Sequence, residues 1–472
     1  MNLHVSRVGL LVKNTLILSL GTCFPKVMSL ITLPLLTGYL TKAEYGTYDL
    51  IPVLVTFLLP VATLQIHTGA FRYLIEYRDN REKTDQIITN TLLYAVALSP
   101  LCLIATGILF RDAGGFLQAY LFFDLYLIVV QQIARGTGKN MLYSISAVIN
   151  AAVCAALTLL LVGGLGQGLT GAVLALLGGV LAASLYLTVR LRLFHSFIPR
   201  LVSGRVIKML LLYSWPIVPN SLCNWVLNLS DRLIAAAFLG IESSAVLAVA
   251  HKLPNLLLIF QASFLYAWQE NASLTAQDDD ASQYYAGMFK GVTNLLAGGL
   301  SFLIGISPLV FGVLVRGDYA GARPQTAILF LAVFYSCLSS FLAGIYVANM
   351  KTASVGISTL AAALCALAID LALISRIGLY AASLSALVSY MLLTAYRICR
   401  IQSFQKIKFD IRLLIFDTAL LGVMAFIFAR NTLTGNVVNV ILGTAAAVIL
   451  NRDTIAAIKK LPEMVTRTNE AD

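Results

Sequence analysis

Fourteen apolar stretches follow one another along this chain with only short charged or Gly/Pro gaps between them. They extend over residues 14–39, 45–71, 85–110, 116–134, 140–162, 169–189, 209–239, 244–269, 285–315, 325–350, 352–375, 378–396, 413–429 and 434–451. About twenty apolar residues in a helix span the hydrocarbon of a bilayer. Backbone amides in lipid must be satisfied within the segment, which leaves helices as the form such long stretches take. The expected fold is therefore all-α and polytopic, with about 14 transmembrane helices. Composition agrees: 59% of the 472 residues are hydrophobic and 12% charged, against about 25% charged in a soluble domain. The first stretch is too long for the apolar core of a cleaved signal peptide and reads as the first spanning helix.

The net charge is +11. Nucleic acid is not the expected partner, because the basic residues are dispersed and form no polybasic run. Membrane topology accounts for them instead. With the N-terminus inside, 24 Lys/Arg fall in cytoplasmic segments and 6 in external ones, with Lys26, Arg232 and Lys252 inside spans. Both termini are expected to be cytoplasmic. The two richest internal gaps, 190–208 and 397–412, divide the spans into groups of six, six and two, giving segments 1–195, 196–402 and 403–472. Seven cysteines lie mostly inside apolar stretches without paired spacing, which indicates neither a disulfide framework nor a zinc site.

Two halves suggest an internal repeat. The span 1/2 junction, with Tyr39, Leu40, Glu44, Gly46 and Tyr48, resembles the span 7/8 junction, with Phe238, Leu239, Glu242, Ala245 and Leu247. Each half also opens on a helix with two prolines, Pro25 and Pro34 in the first and Pro216 and Pro219 in the seventh; Pro52, Pro60 and Pro254 follow in the partner helices. Proline removes a helical hydrogen bond. Matched interruptions in two halves of a transporter tend to surround its substrate path, although tolerated kinks give the same pattern.

Charges within the spans mark the candidate site. Counted from Asn14 at about 1.5 Å per residue, Lys26 lies ~18 Å deep, near the middle of the hydrocarbon. A charge there costs about 2.5–3.5 kcal/mol on insertion scales and normally faces a bundle interior or a wet cavity. Lys252 and Arg232 carry the same argument, and Arg72 lies near the inner end of the second span. Together Lys26, Arg72, Arg232 and Lys252 are expected to give a basic cavity that holds a phosphate or pyrophosphate through charge-assisted hydrogen bonds. The bland alternative is structural pairing, for instance of Arg232 with neighbouring Asp231. Asp49, Asp124, Asp231 and Asp370 are candidate charge partners or ion-coupling groups, with Asp417 beside them. His67 and His251 read as packing residues.

Two motifs mislead. Gly166-Gln-Gly-Leu-Thr-Gly171 fits a dinucleotide pattern but lies in a short turn between apolar helices, and Asp278-Asp-Asp280 sits in a gap too small for a catalytic domain. No P-loop or zinc motif is present, so neither ATP nor a metal is expected. Coupling to H+, Na+ or the membrane potential stays open, and no cofactor is expected.

The segments Tyr213-Ser-Trp-Pro216, Asn228-Leu-Ser-Asp231-Arg232 and Phe238-Leu-Gly240, with Leu33-Pro34 and Glu44-Tyr-Gly46-Thr-Tyr48, resemble polysaccharide-biosynthesis flippases of the O-antigen (Wzx) type. The resemblance implies membership of the multidrug/oligosaccharidyl-lipid/polysaccharide exporter superfamily, with two pseudo-symmetric six-helix lobes in a V plus two C-terminal helices. It further implies alternating access that carries a polyprenyl-pyrophosphate-linked oligosaccharide across a bacterial inner membrane, and no enzyme activity. Membrane lipids and a polysaccharide polymerase are the implied partners. The last two spans would offer the lipid tail a side groove. The second half departs from the family in having Ala245-Val-Leu247 where Gly-x-Tyr is usual. A multidrug cation antiporter of the same superfamily and a membrane-embedded glycosyltransferase or polymerase are the rival readings.

Overall fold

In a computed structural model, which describes residues 2–109 and 114–452, the secondary structure is helical throughout the described residues. The surface is apolar: Leu185, Ile357, Leu364, Phe426 and Ile449 are each more than half exposed. Large aliphatic and aromatic side chains stand outward in this way where the surrounding medium is lipid. Among the described residues, ten helices are long and apolar enough to cross a membrane. The other expected spans correspond to helices at the start of the chain, at 81–109, at 114–136 and at 241–275. This is a multi-pass membrane protein. The C-terminal tail 453–472 lies outside the described residues.

Contacts divide the chain into two compact units. Unit 1 is Met1–Ala236, Gly240–Ala245 and Leu314–Gly317; unit 2 is Ala237–Leu239, Val246–Val313 and Asp318–Asp472. The division follows packing, a different property from the basic gaps by which the sequence sets 1–195 and 196–402 apart.

Unit 1 is built from α1 (Asn2–Tyr39), α2 (Lys42–Thr63), α3 (Ile66–Glu76), α4 (Arg81–Leu109), α5 (Gly114–Gly136), α6 (Asn140–Leu157), α7 (Gly168–Leu191), the one-turn α8 (Leu193–Ser196), α9 (Gly204–Ser214) and α10 (Ile217–Leu239). The second apolar stretch is thus two helices. Leu64 and Gln65 both adopt positive φ, 47° and 58°, and break the span; the Gln65 amide donates to Ser221 Oγ of α10 at 3.1 Å. A reciprocal capping box starts α2: Thr41 Oγ1 accepts from the Glu44 amide at 3.2 Å, while Glu44 Oε2 accepts from the Thr41 amide at 2.9 Å. Two residues on, Gly46 lies against the Ile241 carbonyl, where an added Cβ would sit at 2.5 Å. Within unit 1, the absence of a side chain at Gly46 is what lets α2 approach the helix that starts at Ile241. Thr158–Gly164, expected to finish the fifth span as ordinary helix, is π-helical.

The linker after α7 is pinned to α4 by two fully buried side chains, Thr89 and Asn90. Thr89 Oγ1 donates to the Ser196 carbonyl and accepts from the Ile198 amide, at 3.1 and 3.0 Å. Asn90 donates to the Leu201 carbonyl and accepts from the Ser203 amide, at 3.0 and 2.8 Å.

Unit 2 takes α11 (Ile241–Lys252) from Val246 onward, α12 (Leu257–Thr275), α13 (Ala281–Leu314), α14 (Ala322–Ala348), α15 (Thr352–Ile377), α16 (Leu379–Ile401), α17 (Ile411–Arg430) and α18 (Leu433–Leu450). The expected eighth span is interrupted at Pro254, where a 3-10 turn separates α11 from α12. Helix α14 is central, packing on α12, α15, α16 and α17. Trp268 of α12 is 1% exposed, stacks on Phe341 at 4.3 Å and donates to the Phe341 carbonyl at 2.9 Å. Helix α18 leaves Leu433, Ile441, Val448 and Ile449 more than half exposed; Asn439 ties it to the Met424 carbonyl of α17 at 2.9 Å.

Candidate functional site

The expected basic residues occupy four different helices: Lys26 on α1, Arg72 on α3, Arg232 on α10 and Lys252 at the end of α11. The first three belong to unit 1 and Lys252 to unit 2. Their surroundings differ sharply.

Lys26 follows Pro25 inside α1 and is half-buried. Nearby hydroxyls are committed to their own helix: Ser29 Oγ donates to the Lys26 carbonyl at 2.9 Å, and Thr32 Oγ1 to the Met28 carbonyl at 3.1 Å. Its ammonium forms no ion pair among the described residues. A half-buried cation without an ion pair among the described residues is an arrangement that an anionic ligand stabilises.

Arg232 is committed elsewhere. Its Nη1 donates to Asp49 Oδ2 of α2 at 2.7 Å, and the residues are 8% and 9% exposed. Asp231 instead turns back on the helix, its Oδ1 accepting from the Arg232 amide at 2.9 Å. The pair thus joins α2 to α10, reinforced by Trp225, which donates to the Val53 carbonyl at 3.1 Å and packs on Phe57. Two charges taken out of water in this way hold helices in register, and removing one leaves the other stranded.

Arg72 is 48% exposed at the side chain and sits 3.5 Å from Glu76, one helical turn on. Lys252, half-buried, lies where α11 gives way to the turn at Pro254. Among the acids, Asp124 is half-buried on α5 beside Tyr120, close to the meeting of Tyr48 with Cys154. Asp370 is 1% exposed on α15. Asp417 is fully buried on α17, and neither carboxylate oxygen has a hydrogen-bond partner among the described residues. His251 is buried on α11, whereas His67 is half-buried on α3.

Arg397 is the residue that sequence reading places wrongly. Counted with the cytoplasmic gap, it is 3% exposed on α16. Its guanidinium donates to the Ser339 carbonyl at 2.7 Å, to Thr359 Oγ1 at 3.0 Å and to Ser358 Oγ at 3.2 Å. Neutral acceptors from α14 and α15 hold this charge, so three helices are clamped by one side chain. A serine–threonine pair in the first turns of α15 was the available signal, and it gains meaning only once the helices are placed. The two misleading motifs prove to be turns: Gly166 and Gly168 take positive φ before α7, and Asp278–Asp280 link α12 to α13.

The helical arrangement is that of transporters of the MOP superfamily. An inward-facing multidrug resistance MATE transporter is similar with a TM-score of 0.69 at 15% identity, over 81% of this chain and 96% of that one. The lipid II flippase MurJ, in an inward closed conformation, is similar with a TM-score of 0.68 at 14% identity, over 93% of this chain and 99% of that one. A MOP superfamily transporter from Pyrococcus furiosus, described by a binding pocket of reverse polarity, matches with a TM-score of 0.56 at 16% identity, over 83% of this chain and 95% of that one. Among curated proteins none matches in sequence. Residues 11–269 match the family described as "Polysaccharide biosynthesis protein", and the chain belongs to that family.

Proposed function

We propose that this protein is a flippase that moves a polyprenyl-pyrophosphate-linked oligosaccharide from the inner to the outer leaflet of a bacterial inner membrane, for synthesis of a surface polysaccharide such as O-antigen, capsule or exopolysaccharide. The observation that carries the reading is Lys26, a half-buried cation without an ion-pair partner among the described residues, in a chain of the polysaccharide biosynthesis family. A pyrophosphate answers that charge; a cationic drug opposes it. The extent of the structural likeness adds support, since it runs over 93% of the chain for the lipid II flippase and 81–84% for the MATE transporters.

In this reading Lys26 contacts the pyrophosphate, with Arg72 of the same unit as a further candidate contact. The Arg232–Asp49 pair keeps α2 and α10 in register while transport proceeds by alternating access. Segments 1–195 and 196–402 are the repeated halves, 403–472 carries the two added helices, and both termini are cytoplasmic. The protein makes and breaks no bond in its substrate and uses no cofactor; H+, Na+ or the membrane potential drives it, with Asp124 and Asp370 available as coupling groups. Its product passes to a polysaccharide polymerase.

The rival reading, a multidrug cation antiporter, draws on the MATE likeness and on half-buried Asp124. Purified protein in liposomes separates the two, with movement of a polyprenyl-pyrophosphate oligosaccharide between leaflets followed beside efflux of a cationic dye. Movement of the lipid-linked sugar alone, lost in Lys26→Gln, is the expected result. Dye transport without sugar movement would overturn the proposal.

A further inference from the structure

A groove of about 420 Å³ opens on unit 1 between α3 and α9, lined by Tyr73, Arg205, Lys208, Met209, Leu212 and Tyr213. Its walls are fixed by backbone packing. Gly69 of α3 lies so close to α9 that an added Cβ would sit 2.6 Å from the Leu210 carbonyl, and Leu210 is itself fully buried. One turn beyond Gly69, Tyr73 meets Tyr213 edge-on at 5.9 Å and stacks on Tyr77 at 6.5 Å. The start of α9 is held by the Thr89 and Asn90 bonds to the linker. Arg205 and Lys208 both project from this anchored helix, are exposed, and form no ion pair among the described residues. Leu212 and Tyr213 are 60% and 42% exposed.

Two free cations three residues apart lie on one helix face, beside a tyrosine edge and an apolar floor. The volume lies within the range of small-ligand sites. Cations call for a dianionic or polyanionic group, tyrosine rings for the flat face of a sugar, and the exposed Leu212 for hydrocarbon. Among the chemical classes that combine all three is the headgroup of a glycosyl-pyrophosphoryl lipid.

We infer that this groove is a docking site for the sugar-pyrophosphate headgroup of a polyprenyl lipid, separate from Lys26, with the pyrophosphate on Arg205 and Lys208 and the first sugar against Tyr213. The inference rests on the flippase reading and adds a recognition step before translocation. By the distribution of basic residues the groove faces the cytoplasm, the side on which the substrate is assembled.

The test is binding in nanodiscs by native mass spectrometry, with four probes: polyprenyl pyrophosphate, polyprenyl-pyrophosphoryl hexose, phosphatidylglycerol and inorganic pyrophosphate. Arg205→Gln/Lys208→Gln is expected to weaken both pyrophosphoryl lipids by at least about tenfold while phosphatidylglycerol is unaffected. Tyr213→Leu is expected to remove about threefold of the preference for the glycosylated lipid. Unchanged binding of the pyrophosphoryl lipids to the double variant overturns the inference. So does full competition by inorganic pyrophosphate, which would make the groove a site for a soluble anion. Leaflet-to-leaflet movement in the same samples keeps the two proposals apart. Normal flipping with unchanged affinity in the double variant removes the groove and leaves the flippase; groove-dependent binding in a wild-type protein that does not flip does the reverse.

Discussion

Lys26 and Arg232 are both basic residues inside spans, yet they demand opposite experiments. Arg232 has its partner, and the energy at stake is structural. Removing one member of a buried pair costs about 3–5 kcal/mol, because the remaining charge has nowhere to go. Asp49→Ala and Arg232→Ala are therefore each expected to lower the thermal midpoint in detergent markedly. Asp49→Leu/Arg232→Leu, which removes both charges, is expected to recover most of the loss. A double variant no more stable than the single ones would show that the pair is not the source of the effect. Lys26 has no ion-pair partner among the described residues, and in the flippase reading its charge is available to the substrate. Lys26→Gln is expected to leave the thermal midpoint in place, or raise it, while flipping falls by about tenfold or more, the loss of one charge-assisted contact. Lys26→Arg is expected to retain part of the activity. Each charge was visible in the sequence as an anomaly in apolar surroundings. Which anomaly was paired was not visible, because Asp49 and Arg232 are separated by 183 positions and only the packing of α2 on α10 brings them together.

At the scale of the helix, hydropathy located the spans and missed their internal breaks. The interruption at Pro254 announced itself through a residue without an amide proton, whereas Leu64 and Gln65 break the second span at residues that carry no such mark. Gln65 accepts a left-handed backbone because α10 supplies Ser221 for its side chain. The π-helical turn at Thr158–Gly164 likewise carries no mark in the hydropathy of the stretch. Arg397 was misplaced for a related reason: a charge at the end of an apolar run reads as the start of a loop, and its acceptors come from residues 38–58 positions away. Its environment gives a sharp expectation. Arg397→Met would leave the Ser339 carbonyl and two hydroxyls with fewer donors, at a cost of about 1–3 kcal/mol for each buried group left unsatisfied. The thermal midpoint is expected to drop, and limited proteolysis is expected to cut first between α14 and α15, where the clamp held them. Gly46 offers the complementary case, with no room in place of no partner. Gly46→Val forces the α2 backbone away from the Ile241 carbonyl, so protein recovered from membranes is expected to fall even though the residue touches no substrate.

For the whole molecule, the question is what the last two helices are for. The MATE structures match over 81–84% of this chain and the lipid II flippase structure over 93%. The two helices joined to unit 2 at its edge differ in how firmly they are built in. Helix α17 carries a fully buried stripe through Asp417, Leu421, Met424 and Phe428 against its neighbours, and Thr418 bonds Tyr335 of α14 at 2.7 Å. Helix α18 touches α17 and α13 through Asn439 and Gly443 but leaves Leu433, Ile441, Val448 and Ile449 more than half exposed. Removing residues 433–472 therefore takes away little of the core, and the truncated chain is expected to insert and to keep a cooperative, modestly lowered thermal transition. A cationic drug has no long hydrocarbon tail to accommodate, so a drug antiporter should keep its dye transport after this truncation. A flippase that guides a polyprenyl tail beside α17 and α18 should behave otherwise. Movement of a long-chain lipid-linked sugar is expected to fall by about tenfold, while a short-chain analogue, which needs no such guidance, moves as before. Equal losses for both chain lengths would show that the helices serve the fold alone and would remove the tail-guiding role, whatever the fate of the charge at Lys26.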